Sequence, residues 1–375
     1  MIEQELSPVK VYDRDFHYMQ LALDLAAQGL GRVAPNPSVG CVIVKDGVIV
    51  GQARSADGGR PHAETQALAQ AGVRAAGADI YTTLEPCGHY GVTPPCVEAL
   101  IKAKAGRVII ACHDPNQSQH HCMERLQAAG IIVTQGICEA EALVLNEGFF
   151  NVITKQRPLV TAKIATTLDG KIATSSGKSK WITGDSARRK VHEIRAVHDA
   201  ILVGVGTVLA DDPQLTVRLE NYNNDPVRII IDCDLKTPMT SQILQKGAAD
   251  KTWFLCGSHV TEDRRDDFRN MGAKLVSLES RSGFFAPDVL LKELAKQGIT
   301  RLFIEGGGVT LTGFLKAGLV DRLYWFRAPK LVGADGMNAI QPLGIYEIEE
   351  AIDLELEQRI MLDKDILEVW RLERQ

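Results

Sequence analysis

The sequence predicts an α/β protein built from two layered domains, and three observations predict it. Short apolar strands alternate with helical stretches along nearly the whole chain, the pattern of helices layered on sheets. A polar, Pro-terminated junction, Lys155-Gln156-Arg157-Pro158, divides residues 1–154 from 155–375 without a flexible Gly/Ser linker. The 375 residues, 45% hydrophobic and 24% charged, suffice to bury a core in each part.

In the first part, apolar Phe16, Met19, Leu21, Leu23, Leu25 and Ala26 mark an amphipathic helix over 13–29 that ends at glycine. Pro35-Asn36-Pro37 breaks the chain before a hairpin, 39–44 and 48–53, that turns at Asp46-Gly47. Helices over 62–75 and 95–105 alternate with strands over 80–84 and 107–111. A helix end and strand over 128–134 and one long helix over 139–154 complete the domain. The second part opens with a strand over 159–165 and a restart at 168–172. A helix over 183–197 follows, with Thr183, Asp185 and Ser186 at its N-cap. Strands over 200–205, 227–232, 252–256, 275–278 and 301–304 come next, then a helix over 309–315 and a final pair of strands within 337–375.

The formal charge of -5 and a pI near 6.0 argue against a broad cationic face for nucleic-acid phosphates. Residues 1–10 are polar without a signal-peptide core, and no apolar run approaches the roughly 18 residues of a membrane span, so a cytoplasmic protein is expected. Cys41, Cys112, Cys233 and Cys256 read as strand or core thiols, with no disulfide framework among the eight cysteines.

The chemistry concentrates at His62-Ala63-Glu64, Pro86-Cys87 and Pro95-Cys96. One imidazole and two thiolates offer three soft ligands to Zn²⁺, which leaves a fourth tetrahedral position for water and suits catalysis. Metal-bound water has a pKa lowered to roughly 7. Glu64 is placed to carry its proton. Prolines before both cysteines put the thiols at expected helix N-termini, where the dipole favours thiolate. His89, two residues after Cys87, is the residue nearest in sequence that would close the shell. In the second domain the strand at 301–304 runs into Glu305-Gly306-Gly307-Gly308 and a helix, where backbone N–H groups approach a diphosphate. This triplet is not the Gly-x-Gly-x-x-Gly of the Rossmann fold.

Residues 33–116 resemble the deaminase half of bifunctional riboflavin-biosynthesis deaminase/reductases. The likeness rests on Pro35-Asn36-Pro37, Val39-Gly40, His62-Ala63-Glu64, Leu84-Glu85-Pro86-Cys87, His89-x-Gly91-x-Thr93-Pro94-Pro95-Cys96 and Asp114-Pro115-Asn116. Eight residues between the cysteines separate this pattern from the Cys-x-x-Cys of nucleoside and nucleic-acid deaminases. Residues 117–122 depart from the Pro-x-x-x-Gly-x-Gly run usual in the family. Five further segments resemble the reductase half. They are Leu168-Asp169-Gly170-Lys171-Ile172-Ala173, Ser179-x-Trp181-Ile182-Thr183, the run from Gly204 to Arg218, Glu305-Gly306-Gly307-Gly308 and Ala328-Pro329-Lys330.

The resemblance implies a cytidine-deaminase-like three-layer domain followed by a dihydrofolate-reductase-like domain. It also implies hydrolytic deamination of 2,5-diamino-6-(5-phosphoribosylamino)pyrimidin-4-one and then NADPH-dependent reduction of ribosyl to ribityl. Zn²⁺ would sit on His62, Cys87 and Cys96, with Glu64 as proton carrier and Asn36 and His89 on the substrate. Ala165, Trp181, Thr207, Asp211, Cys233 and the run Gly307, Gly308, Val309, Thr310, Leu311, Thr312, Gly313 would hold NADPH. Ser179, Arg195, Leu215, Arg218 and Glu305 would hold the substrate, with Lys163, Asp211 and Glu305 for proton delivery. The family also implies a homodimer or higher homo-oligomer. Two rivals predict otherwise: a nucleoside or tRNA deaminase calls for Cys-x-x-Cys and, for tRNA, a basic groove. A zinc-clipped nucleotide-binding module calls for a fourth protein ligand and leaves Glu64 idle.

Overall fold

The computed structural model describes residues 8–91, 94–116, 121–245, 247–280 and 283–372, and the chain divides into two units, Met1–Gln156 and Arg157–Gln375. Thr93 of the cysteine motif, residues 117–120 of the divergent run, residues 1–7 and residues 373–375 lie outside the described residues.

The first unit runs α1 (Pro8–Ala27), β1 (Gly40–Lys45), β2 (Val48–Arg54), α2 (Ala63–Ala71), β3 (Asp79–Leu84), α3 (Cys96–Lys102), β4 (Arg107–Cys112), α4 (Cys122–Ala128), β5 (Ile132–Gln135), α5 (Glu139–Leu145) and α6 (Glu147–Lys155). Its sheet has the order β2-β1-β3-β4-β5, with β1 antiparallel to both neighbours and β3, β4 and β5 parallel. Asp46 and Gly47 both take positive φ, which lets the β1–β2 hairpin close in two residues.

Helices cover both faces of this sheet, and two glycines show how. A Cβ on Gly40 would run into the Ala22 carbonyl of α1, and one on Gly51 into the Ala67 carbonyl of α2. Gly51 pairs with Ile43, three residues from Gly40, and alternate strand residues face opposite ways, so α1 and α2 lie on opposite sides. Val42, Ile43, Ile80, Val108 and Ile109 are completely buried between the layers. Asp15 on α1 accepts from Tyr81 Oη at 2.7 Å and pairs with Arg107 at 2.7 Å, which ties α1 to β3 and β4.

The single helix expected over 139–154 is two helices. Asn146 interrupts it because its buried amide exchanges two 2.9 Å bonds with the Ser38 backbone, a tertiary bond pair that outweighs one continued helical turn. The helix start expected at Cys87 is also absent. Cys87 lies in the loop after β3, and only Cys96 opens a helix.

The second unit runs β6 (Leu159–Thr167), β7 (Lys171–Ala173), α7 (Asp185–Ala196), β8 (Ala200–Gly204), α8 (Val205–Asp211), β9 (Val227–Ile231), β10 (Thr252–Gly257), α9 (Glu262–Asn270), β11 (Lys274–Leu278), α10 (Pro287–Lys296), β12 (Arg301–Ile304), α11 (Gly308–Lys316), β13 (Arg322–Ala328), β14 (Met337–Asn338), β15 (Leu354–Leu362) and β16 (Asp365–Leu372). Its nine-stranded sheet has the order β11-β10-β9-β8-β12-β6-β13-β16-β15. The strands from β11 to β13 are parallel, and β16 and β15 close the edge antiparallel. Insertion of β12 between β6 and β8 reverses the winding there, the place where open parallel sheets leave a crevice at their strand ends. Alternate residues of β8 feed two cores, Ala200 and Leu202 on one face and Ile201 and Val203 on the other.

Thr183 does not cap α7. The helix begins at Asp185, and the Asp365 carboxylate takes the Gly184 N–H at 2.7 Å. Just past the end of α7, His198 is buried against Phe303, its Nδ1 bonded to the Ile194 carbonyl at 2.7 Å and its Nε2 without a partner among the described residues. Burial, with the nearby Arg301 charge, pushes His198 down to about 3. The unfolded chain therefore binds this proton first, and stability present above pH 6.5 is lost as pH falls toward 3. Chemical unfolding at pH 7 and pH 5 should show wild type losing roughly 2 kcal/mol more than His198→Phe. Equal losses in the two chains would remove His198 from the acid response.

Candidate active sites

In the first unit, His62 occupies the extended N-cap position of α2 and Glu64 its first turn. Cys96 begins α3, and Cys87 is held in its loop from two sides. The Val97 N–H donates to the Cys87 carbonyl at 3.2 Å and the Cys96 N–H to Cys87 Sγ at 3.3 Å. Cys122 Sγ packs against Gly88, where a Cβ would sit 2.5 Å from it. These contacts place His62 Nδ1 3.3 Å from Cys96 Sγ and 3.5 Å from Cys87 Sγ, and all three donor atoms lie within 4.8 Å of one another. Tetrahedral Zn–N and Zn–S bonds of about 2.0 and 2.3 Å set such ligands roughly 3.5 Å apart, so the donor set fits zinc. Among the described residues the cluster has three donors, and His89 is not one of them.

Glu64 is buried in this cluster, and desolvation followed by the Cys87 charge raises its carboxyl to about 6. The Cys87 thiol, bonded by Cys96, is held down at about 4. A cavity of about 180 Å³ opens beside them, lined by Asn36, Arg60, His62, Glu64, Cys87 and His89 among others. Arg60, Glu85, Asp114, Asn116 and Phe149 also line it. Sequence reasoning gave none of these five a role. Glu85-Pro86-Cys87 and Asp114-Pro115-Asn116 were readable as motifs, whereas nothing local marks Arg60 or Phe149.

In the second unit, a cavity of about 830 Å³ follows the ends of β6, β12, β8 and β9. Its wall includes Lys163, Ala165, Ser179, Trp181, Thr207, Asp211, Cys233, Glu305, Gly307, Gly308, Val309, Thr310, Leu311 and Gly313. Gly306 must be glycine, because a Cβ there would lie 2.8 Å from Val203 Cα. At the N-cap of α11 a Cβ on Gly307 would meet, among the described residues, just Thr207 Oγ1 at 3.6 Å, and the Gly307 N–H donates to that hydroxyl at 3.2 Å. Glycine backbone on the cavity wall at a helix start fits the diphosphate of a nicotinamide nucleotide. Trp181 is 66% exposed on this wall, with a φ of 69°, the Arg188 guanidinium 4.2 Å from its ring centroid and Lys330 Nζ on its carbonyl at 2.7 Å. It is therefore no core tryptophan.

Four of the expected residues are not among those lining this cavity. Thr312 is buried, with its hydroxyl taken by the Gln341 N–H at 2.8 Å, and Leu215 is buried in the apolar core. Arg218 is exposed off the wall. Arg195 is half-buried and also off the wall. Its Nη2 meets Glu305 Oε2 at 2.8 Å, its Nε meets Oε1, and its Nη1 donates to the Thr216 carbonyl at 2.7 Å. Burial opposes ionisation of Glu305, but the Arg195 guanidinium prevails and holds its carboxyl below the usual carboxylate range. Burial lowers the Lys163 ammonium, with Glu305 and Asp211 pulling the other way.

What the two clefts define is a deaminase that works with zinc, carried on one chain with a reductase that uses NADPH. Residues 13–112 match the cytidine and deoxycytidylate deaminase zinc-binding region, and residues 158–367 match the RibD C-terminal domain. The riboflavin biosynthesis protein RibD of Aquifex aeolicus is 44% identical over 354 residues, 94% of this chain and 97% of that one. The structure of Acinetobacter baumannii RibD superposes with a TM-score of 0.87 at 37% identity, covering 96% of this chain and 99% of that one. A diaminohydroxyphosphoribosylaminopyrimidine deaminase/5-amino-6-(5-phosphoribosylamino)uracil reductase from Thermotoga maritima gives 0.85 at 33% identity, with coverage of 96% and 99%. The chain belongs to the RibD family of bifunctional riboflavin-biosynthesis deaminase/reductases.

Proposed function

We propose that the first unit hydrolyses the 2-amino group of 2,5-diamino-6-(5-phosphoribosylamino)pyrimidin-4-one and that the second reduces the ribosyl group of the product to ribityl. The observation that carries this reading is the set of three donors beside a buried glutamate in the first unit. Zinc on His62, Cys87 and Cys96 supplies Lewis-acid activation of water at neutral pH. Glu64 takes one proton from the attacking water and gives it to the ring nitrogen, then takes the second from the hydroxyl newly formed on C2 and gives it to the amine, which leaves as ammonia. Its burial keeps that proton out of bulk solvent. Asn36 and His89 face the same cavity and orient the ring.

NADPH held in the second unit would supply the hydride that reduces the ribosyl group. Gly307, Gly308 and Thr207 hold its diphosphate, while Ala165, Trp181, Asp211 and Cys233 line the rest of its bed. Ser179 contacts the substrate from the same wall. Both oxygens of Glu305 are engaged by Arg195, so Glu305 orients and Lys163 is the group with a proton to give. Orientation is most of what a protein contributes to hydride transfer. The net charge of -5 agrees with a small ribotide rather than nucleic acid as substrate. Family membership extends the reading to a cytoplasmic homo-oligomer. The test is incubation of the zinc-loaded chain with the diaminopyrimidine ribotide, with and without NADPH, followed by mass analysis. A gain of about one mass unit is expected without NADPH and about two more only with it; an unchanged ribotide in both arms refutes the assignment.

A further inference from the structure

The substrate proposed above carries a phosphate ester, so the deaminase cavity has to accommodate a dianion beside groups that repel it. Three of its lining side chains, Glu64, Glu85 and Asp114, are carboxylic acids, and the first two are buried deep in it. Against them, Arg60 is the one lysine or arginine among the described lining residues.

The position of Arg60 is built by its surroundings. It sits in extended conformation (φ -142°, ψ 143°) two residues before His62, next to Gly59, whose open side is filled by the Asn36 amide. Gly91 lies close to both Arg60 and His89. A Cβ on that glycine would lie 3.4 Å from Arg60 Nη2 and 3.9 Å from His89 Nε2. The Arg60 guanidinium and the His89 imidazole thus approach the same point beside Gly91, and both residues line the cavity that holds the metal ligands. A planar fork of N–H donors matches the oxygens of a phosphate, and a charge-assisted pair there is among the stronger polar contacts a protein makes.

We infer that Arg60 is the phosphate anchor of the deaminase site, holding the ribose 5′-phosphate over Gly91 with His89 beside it while the pyrimidine ring reaches Glu64. This rests on the reading of the substrate as a ribotide. It makes Arg60 a specificity residue, one that separates phosphorylated from unphosphorylated pyrimidine ribosides without touching the reacting carbon.

The experiment compares ammonia release from the ribotide and from its dephosphorylated riboside, in wild type, Arg60→Ala and Arg60→Lys, with zinc content and NADPH-dependent reduction measured on the same preparations. Arg60→Ala should cut kcat/KM for the ribotide by about 10- to 100-fold, mostly through KM, and bring the ribotide-to-riboside ratio toward one. Arg60→Lys should restore part of it, as a point charge without the fork. Inorganic phosphate should inhibit the wild type competitively and the alanine variant more weakly. A ratio unchanged in Arg60→Ala overturns the assignment. So does a wild type that handles riboside and ribotide alike, whether or not any variant folds. Failure of the wild type to release ammonia from either compound would instead strike the substrate reading itself, so the two failures are distinguishable.

Discussion

Glu64→Gln is expected to lower ammonia release by about 10²- to 10⁴-fold while leaving zinc content and NADPH-dependent reduction where they are in the wild type. The substitution keeps the shape of the side chain in a pocket where it is only 3% exposed. It removes a buried carboxyl beside the metal ligands that can both accept and return a proton. A structural role would behave differently. Glu64 contacts Cys96, so if it merely propped up the metal site, zinc and activity would fall together, as expected for Cys87→Ala. Metal analysis beside an ammonia assay separates the two outcomes. Retention of both zinc and full deamination in Glu64→Gln would end the case for Glu64 as proton carrier.

The donor set and this glutamate were legible because their meaning is local. His62 and Glu64 stand two apart at a helix start, and each cysteine follows a proline. The strands were legible for a similar reason, since β4, β8 and β12 are short, mostly apolar runs buried on both faces. What escaped depends on contacts between residues far apart in the chain. The break at Asn146 requires Ser38, 108 positions away, and the cap of α7 requires Asp365, 181 positions away. No propensity at residues 139–154 or 183–185 carries that information. Helix α8 was not assigned, its first turn being Val205-Gly206-Thr207, and its chemistry reads as a turn ending in Asp212-Pro213. The partner hardest to foresee is that of Arg195. A lone arginine on a helix face suggests either solvent or a phosphate, and only the folded sheet shows it lying against Glu305.

That pairing leads to the second large effect. Arg195→Met should destabilise the second unit by about 3–5 kcal/mol, because it strands the Glu305 carboxylate, 7% exposed, without its counter-charge. Glu305 is depressed in the folded state, so the stability it contributes is present above its unfolded pKa and lost as pH falls through the folded value. The gap between wild type and Arg195→Met should therefore be widest near neutrality and narrow in acid, where Glu305 is protonated in the variant. Adding Glu305→Leu to Arg195→Met should recover most of the lost stability, since an apolar pair of similar volume often replaces a buried ion pair at little cost. Reduction should stay lost in the double variant, because Glu305 lines the cavity beside Lys163 and raises the proton affinity of its ammonium. Denaturant unfolding, with ammonia release as the control on the first unit, reads stability. NADPH consumption reads function. Recovered reduction in the double variant would show that the pair serves only to hold the sheet ends together, and the role of orienting the substrate would pass to Ser179 and Lys163 alone.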